Sequence, residues 1–277
     1  MFSNLKWIEL KNLGLLADLL FNTHSLLLRT IRWSCRWALP LIPLHSFENL
    51  HELSTDSIGN LTEFLNTLSQ CQNLERLKIF GHPITFESDT LVIIPPFSLP
   101  CVTHLSLALA FSSTNMLRPI VFQSLVDLQV ILSYRLREPL APVLDMIRRS
   151  GVTLKRLGVV NNITGRYRRL AEANLISALK TPYFRELEIL EIEEPTSEGR
   201  DFVKFLTLPT TSNTVAFGYL MNLERIHLVF QDTLANLLQP LQELIDSRPG
   251  MVYDSITTSE KVSLIHISLS ISSVPTA

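Results

Sequence analysis

The residues best suited to chemistry in this chain are basic. Between Met146 and Ala171 stand Arg148, Arg149, Lys155, Arg156, Arg166, Arg168 and Arg169, with no acid among them. Guanidinium forks bind phosphate and carboxylate in a bidentate way, so Arg166, Arg168 and Arg169 form a candidate anion or phosphopeptide patch. Between Glu186 and Asp201 come Glu186, Glu188, Glu191, Glu193, Glu194, Glu198 and Asp201, against Arg200 alone. Two opposite blocks in succession also suit a second reading, in which they neutralise each other or lie on ordinary solvated faces.

Catalytic patterns are missing from the sequence. It contains no HExxH, no Gly-rich phosphate loop and no Ser/His/Asp signature, and its 9 Gly leave little for flexible phosphate-cradling loops. The seven His are scattered. Cys35, Cys71 and Cys101 show no metal-ligand spacing and are expected as small buried hydrophobes in a reducing compartment. The expectation is a protein that is not an enzyme, with no catalytic residue, no cofactor and no metal.

Composition narrows the class further. The 277 residues are 46% hydrophobic and 18% charged, with a net charge of -2. Bulk charge therefore argues against nucleic acid as a partner. Lys6, Glu9, Lys11 and Asp18 interrupt any apolar leader. The uncharged run Leu91–Phe111 contains Pro95, Pro96 and Pro100, and reads as a loop feeding a buried strand rather than a membrane span. The expected setting is the cytoplasm or nucleus, with no membrane partner.

About 50 residues are Leu, and many recur in one pattern: an aliphatic residue, two others, an aliphatic, one other, an aliphatic. Copies are Leu5-Ile8-Leu10, Leu28-Ile31-Trp33, a weaker Leu50-Leu53-Thr55, Leu74-Leu77-Ile79, Val102-Leu105-Leu107 and Leu125-Leu128-Val130. They continue with Leu154-Leu157-Val159, Leu187-Leu190-Ile192, Leu223-Ile226-Leu228 and Leu264-Ile267-Leu269. Their starts are 22 to 24 residues apart at first and 41 apart at the end. The early spacing falls in the leucine-rich-repeat range of about 20–29 residues, and the later spacing implies insertions such as Pro195–Arg200, Thr210–Thr214 and Ser247–Glu260.

The last two apolar positions of each copy are two residues apart, the period of a strand with one buried face. One copy cannot bury that face alone, so copies must stack. Segments ahead of several copies have helical period: Leu61, Phe64, Leu65 and Leu68, with Asn60 and Glu63 as a capping box; Leu140, Val143, Leu144 and Ile147, stopped by Ser150-Gly151; Leu170, Leu175, Ile176 and Leu179; and Leu234, Leu237, Leu238, Leu241 and Leu244. The predicted fold is an α/β leucine-rich-repeat solenoid, a curved horseshoe with a parallel sheet on its concave face and helices on its convex face. It forms a single domain over 1–277 of about ten irregular repeats, with longer insertions after about residue 195. The consensus loop Asn is met only at Asn162; His82, Ala110, Ser133, Pro195 and Gln231 stand in its place elsewhere.

The unit Leu65-Asn-Thr-Leu-Ser-Gln-Cys-Gln-Asn-Leu-Glu-Arg-Leu-Lys-Ile79 resembles repeats of the F-box/leucine-rich-repeat family, especially the irregular forms of mushroom-forming fungi. Phe184–Ile192 and Met221–Leu228 are similar. In that family an N-terminal F-box docks to an adaptor of a cullin ubiquitin ligase, and the repeats hold the substrate. Repeat one begins at Leu5, which leaves no room for a three-helix F-box. The resemblance thus covers the repeat region only, and an adaptor partner requires an F-box supplied from elsewhere. It implies a protein–protein interaction scaffold, an F-box-like substrate receptor; the alternative is a standalone binding or inhibitor protein.

Outward strand residues would form two columns on the concave face. The first is Trp7, Thr30, Glu52, Arg76, His104, Asp127, Arg156, Ile189, Arg225 and His266. The second is Glu9, Arg32, Ser54, Lys78, Ser106, Gln129, Gly158, Glu191, His227 and Ser268. Candidate partner-binding residues are Trp7, Arg32, Glu52, Arg76, Lys78, His104, Asp127, Arg156, Glu191, Arg225 and His227. Glu52 beside Arg76, and Asp127 between His104 and Arg156, are expected as opposite charges side by side. Trp33 fills a motif position and is expected in the core. The first strand, near Leu5–Leu10, and the last, near Leu264–Leu269, are exposed edges that predict association of the isolated chain.

Overall fold

The computed structural model describes residues 6–11, 29–34, 49–56, 58, 61–80, 94–109, 116–132, 140–161, 168–193, 200–207, 220–230, 234–248, 250–259 and 264–271. The chain is mixed α/β, with a large, mostly parallel sheet and no closed barrel among the described residues. It divides into two compact units, 1–128 with 141–152 and 129–140 with 153–277.

In the first unit, β1 (Trp7–Lys11), β2 (Thr30–Ser34), β3 (Glu52–Thr55) and β4 (Arg76–Ile79) lie side by side. The order continues through β6 (His104–Leu109) to β8 (Asp127–Leu132), whose last four residues group with the second unit. Neighbouring strands from β1 through β4 to β6 are parallel. Each strand enters in the same way: two successive N–H groups donate to one carbonyl of the strand before. Arg29 and Thr30 donate to Lys6 O, His51 and Glu52 to Arg29 O, Glu75 and Arg76 to His51 O, and Thr103 and His104 to Glu75 O. The repeat seen in side-chain type is thus also a repeat in backbone hydrogen bonding.

The triplets provide the inward rungs. Leu50, Leu74, Val102 and Leu125 are buried just ahead of their strands, and Leu53, Leu77, Leu105 and Leu128 are buried within them. Each such side chain removed from water contributes about 1.5–3 kcal/mol. Thr55 takes the last position of the weak copy and is 1% exposed; threonine has the shape of valine and keeps the stack filled. Helix α1 (Leu61–Leu68) buries Phe64, Leu65 and Leu68, three of the four residues expected on its inner face. Asn60 of the expected capping box lies outside the described residues.

Ahead of β6 and β8 the described residues hold short strands, with Met116 and Leu117 helical just before the second of them. β5 (Phe97–Leu99) and β7 (Ile120–Phe122) pair in parallel as a separate two-stranded sheet. The run Leu91–Phe111 thus contains one strand more than the sequence reading anticipated. Helix α2 (Ala141–Ser150) packs on β7: the Phe122 N–H donates to Ser150 Oγ at 2.9 Å. Arg149 donates to the backbone carbonyls of Leu117 at 3.0 Å, of Ile120 at 3.2 Å and of Arg118. Gly151 follows at φ 65°, the left-handed stop expected of it, and its N–H returns to Ile147 O at 3.0 Å.

In the second unit, β9 (Arg156–Asn161), β10 (Ile189–Glu193) and β11 (Arg225–Phe230) run parallel, and the same paired donation recurs at Lys155 O and Glu188 O. Leu157, Leu190 and Ile226, with Val159, Ile192 and Leu228, are all buried. Helices α3 (Arg168–Leu179) and α5 (Leu234–Ser247) precede strands, as the periodicity anticipates, and α4 (Arg200–Leu206) does so in a stretch where the sequence reading placed no helix. Leu237, Leu241 and Leu244 face inward, but Leu238 is 51% exposed, a correction to its expected burial. Leu238 stands one 100° step on from Leu237, at the border of the stripe that Leu237, Leu241 and Leu244 define.

The tenth copy corrects the predicted topology. β13 (Leu264–Ile271) runs antiparallel to β11, and β12 (Met251–Ser259) pairs antiparallel outside it, giving the order β9-β10-β11-β13-β12. The segment Ser247–Glu260, read as an insertion, therefore contains a strand. Only four residues separate β12 from β13, whereas a parallel crossover needs a dozen or more. β13 is consequently an inner strand, and the edge is β12. Arg248 closes this unit from within. It is 3% exposed and donates to Leu206 O at 3.2 and 2.9 Å and to Leu220 O at 2.9 Å. Burial pulls its guanidinium down to about 10, still charged at neutral pH.

Candidate functional site

The sheet face opposite the aliphatic rungs carries the polar columns. In the first unit the register runs Trp7, Thr30, Glu52, Arg76, His104 in one column and Glu9, Arg32, Ser54, Lys78, Ser106 in the next. Alternation along a strand sends these residues away from the buried triplets. Arg32 and Arg76 are exposed; Glu52, Lys78 and His104 are half-buried. Trp7 sits in β1, but its side chain, like that of Trp33 in β2, lies outside the description.

Glu52 and Arg76 stand opposite each other as expected, yet the ion pair goes elsewhere. Lys78 Nζ donates to Glu52 Oε1 at 3.0 Å, across the diagonal. Diagonal neighbours are about 7–8 Å apart at the backbone, within reach of long side chains. Arg76 and Arg32 make no ion pair among the described residues. His104 Nε2 lies 3.8 Å from Asp127 Oδ2, and its Nδ1 lies 2.7 Å from Thr103 Oγ1. At the strand entrances, His51 Nδ1 lies 2.9 Å from Glu75 Oε1.

In the second unit Arg156, Ile189 and Arg225 form one column, and Gly158, Glu191, His227 and Ser268 the other. Arg156 Nη2 donates to both oxygens of Glu191 at 2.8 and 2.9 Å. The residue directly opposite Glu191 is Gly158, so no side chain blocks that diagonal; a Cβ there would lie 3.3 Å from Gln129 Cγ. Arg225 is exposed and has no ion pair among the described residues. The antiparallel β13 sets Ser270, not His266, opposite Arg225; His266 faces Val229 instead and leaves the column proposed for it.

The charge blocks are largely engaged with each other or with their own helix. Arg148 and Arg149 both bond Asp145, the acid just upstream of the basic block. Slight burial would raise the Asp145 carboxyl, but its hydrogen bonds to Arg148 and Arg149 and their charges outweigh that and hold it below the usual range. Lys155 Nζ donates to Glu188 at 2.8 Å, and Thr153 Oγ1 to Glu186 at 3.4 Å. The hydrogen bond and charge of Glu188, with Glu186 and Glu224 adding to them, raise Lys155 above its ordinary value. Of the candidate anion patch, Arg166 lies outside the described residues, while Arg168 and Arg169 open helix α3 with side chains outside the description.

Sequence reasoning named the columns but missed the diagonal pairing, which follows from side-chain length rather than from strand register. It also missed Asp145 as the acid that absorbs Arg148 and Arg149. Cys71 is buried and its thiol is pushed up to about 12 by desolvation, as an inert core cysteine would be; Cys101 is exposed, a correction to the expectation for that residue. It follows Pro100 in the turn between β5 and β6, outside the rungs. Cys35 and the loop positions His82, Ala110, Ser133, Asn162, Pro195 and Gln231 lie outside the described residues. Among the described residues no group of three His, Cys, Asp or Glu could hold a metal ion. None of the described helices is long and apolar enough to cross a membrane. No family model matches the chain, and a search of curated proteins finds no match for it.

Proposed function

We infer that the chain is a leucine-rich-repeat solenoid that acts as a protein–protein interaction scaffold, an F-box-like substrate receptor for a cullin-type ubiquitin ligase working in the cytoplasm or nucleus. The observation that carries the scaffold reading is the alternation along the parallel strands of each unit: triplet aliphatics inward, and polar residues on the other face, Arg32 and Arg76 in the first unit and Glu191, Arg225 and His227 in the second. Such a face has the chemistry of a protein-binding surface, with arginines as anchors. The ligase part rests on the resemblance of Leu65–Ile79, Phe184–Ile192 and Met221–Leu228 to the family's repeats.

Co-purification is the test. Tagged protein expressed in cells should bring down a substrate together with a cullin adaptor. Loss of the substrate in an Arg76→Glu/Arg225→Glu double variant, with the fold intact by circular dichroism, supports the face as the binding surface. Capture of a partner without any adaptor overturns the ligase reading and leaves a standalone binding or inhibitor protein. Undiminished capture by the double variant removes the face.

A further inference from the structure

We propose that the open face of the first unit takes an acidic peptide segment, seated over Ser54. The proposal rests on the scaffold reading and specifies the partner's chemistry. Ser54 of β3 stands directly between Arg32 of β2 and Lys78 of β4 in register, and Arg76 lies two residues before Lys78 on the same face. Neighbouring strands are about 4.8 Å apart. A carboxylate above Ser54 therefore has a hydroxyl beneath it and a cation on either side.

Charge complementarity selects the occupant. Of the carboxylates bordering the seat, Glu52 gives its Oε1 to Lys78 at 3.0 Å, and Glu9 lies on the far side of Arg32 by register. Arg32 and Arg76 are exposed with no ion pair among the described residues. Counting the seat's own residues, three cations face one carboxylate. The backbones of Arg32 and Arg76 are about 12 Å apart, which four residues of extended chain span at about 3.3 Å each. An extended segment with Asp or Glu at alternate positions places one carboxylate at each arginine and the middle one between Ser54 and Glu52. Bidentate geometry favours a planar carboxylate at both ends.

The second unit's face differs. Arg156 is held by both oxygens of Glu191, and Lys155 by Glu188. Those cations are already occupied by the chain's own acids, which leaves Arg225 as its exposed cation without an ion pair among the described residues.

The test is fluorescence anisotropy with the full chain and a fluorescein-labelled twelve-residue peptide of alternating Glu and Ser, against its Gln counterpart. The acidic peptide should bind and the Gln peptide should not. Arg32→Glu/Arg76→Glu should weaken binding at least tenfold. Ser54→Glu, an independent substitution at the centre of the seat, should do the same if the double variant fails to fold. Glu52→Gln should tighten binding several-fold, because it removes the competing carboxylate; a purely structural role for Glu52 would not produce that gain. Arg185→Glu, at an exposed residue outside both polar columns, should leave the affinity unchanged. Equal binding of both peptides, no binding of the acidic peptide, or indifference to Ser54→Glu and to the double variant would each overturn the proposal. If the chain still captures a protein through this face, the scaffold reading survives that failure. If the peptide binds while no protein partner is ever captured, the scaffold reading falls and the acidic seat stands.

Discussion

Leu187-Leu190-Ile192 and Leu264-Ile267-Leu269 are the same pattern, and they end in strands of opposite direction. β10 is flanked on both sides by parallel neighbours. β13 is flanked on both sides by antiparallel ones. In both, the triplet residues within the strand are buried: Leu190 and Ile192 at 0 and 1%, Ile267 and Leu269 at 0%. The triplet therefore encodes a strand with one buried face and is silent on direction. Direction comes from the connection. Between β9 and β10 the chain makes a long excursion through α3 and can return parallel; between β12 and β13 it has four residues and can only fold back. The backbone records the change at one atom. Glu188 O accepts two N–H groups from the next parallel strand, whereas among the described residues Glu224 O accepts one, from Ile271 at 2.9 Å.

The sharpest way to break this comparison is to remove a rung from the parallel region and an aliphatic side chain from the terminal hairpin. Leu190→Ala leaves a cavity under a strand covered on both sides and should cost about 2–5 kcal/mol. Ile256 on the edge strand β12 is 36% exposed; Ile256→Ala should cost under about 1 kcal/mol, because little buried surface is lost and the site can relax. Urea unfolding measures both. Equal losses would mean that the terminal hairpin is as integral to the fold as the parallel strands.

That division also marks what could be read from residue order. The rungs and both polar columns were legible because period two and the triplet spacing fix which residues point inward, even at the weak copy, where Thr55 substitutes for an aliphatic. β12 was not legible: Met251-Val-Tyr-Asp-Ser-Ile-Thr-Thr-Ser259 carries no triplet, since an edge strand has little to bury. β5 and β7 were hidden for a similar reason, being three residues each and paired only with one another. In the candidate site, column membership was legible along the parallel strands but failed at His266 of the antiparallel β13, and the partner of each charge was not legible. Glu52 chooses Lys78 over Arg76 through side-chain reach, which register alone does not specify.

Two arginines sharpen the contrast between units at a second level. Arg248 in the second unit is fully enclosed and serves backbone carbonyls alone. Arg149 in the first unit does the same for Leu117, Arg118 and Ile120, yet its side chain is 27% exposed and shares Asp145. Arg248→Met should cost about 3 kcal/mol, since it strands buried carbonyls that water cannot reach. Arg149→Met should cost about 1 kcal/mol, because water can replace part of what is lost. Differential scanning calorimetry on both variants checks the order, and a larger loss for Arg149→Met would reverse it. Gly151→Ala should cost about the same as Arg149→Met, about 1 kcal/mol, because alanine at φ 65° is strained although nothing lies within 4 Å of its Cβ.

The smallest expected effect tests what the polar face is for. Glu52–Lys78 in the first unit and Arg156–Glu191 in the second share the same diagonal geometry. Both pairs are partly solvated, so each should show a coupling of about 0.5 kcal/mol in a double-mutant cycle and lose most of it in high salt. Values that small mean that the inward rungs hold the strands together, and that the outward charges are free to be exchanged for a partner's. A coupling above about 2 kcal/mol at either pair would be typical of a buried network, and that stretch of face would then be part of the fold's own framework. The second pair is the more demanding case, because Gly158 keeps its diagonal open. Gly158→Ser puts a Cβ 3.3 Å from Gln129 Cγ and 3.8 Å from Glu191 Oε2. It should shrink the Arg156–Glu191 coupling further while leaving that of Glu52–Lys78 untouched; an equal loss at both pairs would mean that the coupling does not come from local geometry.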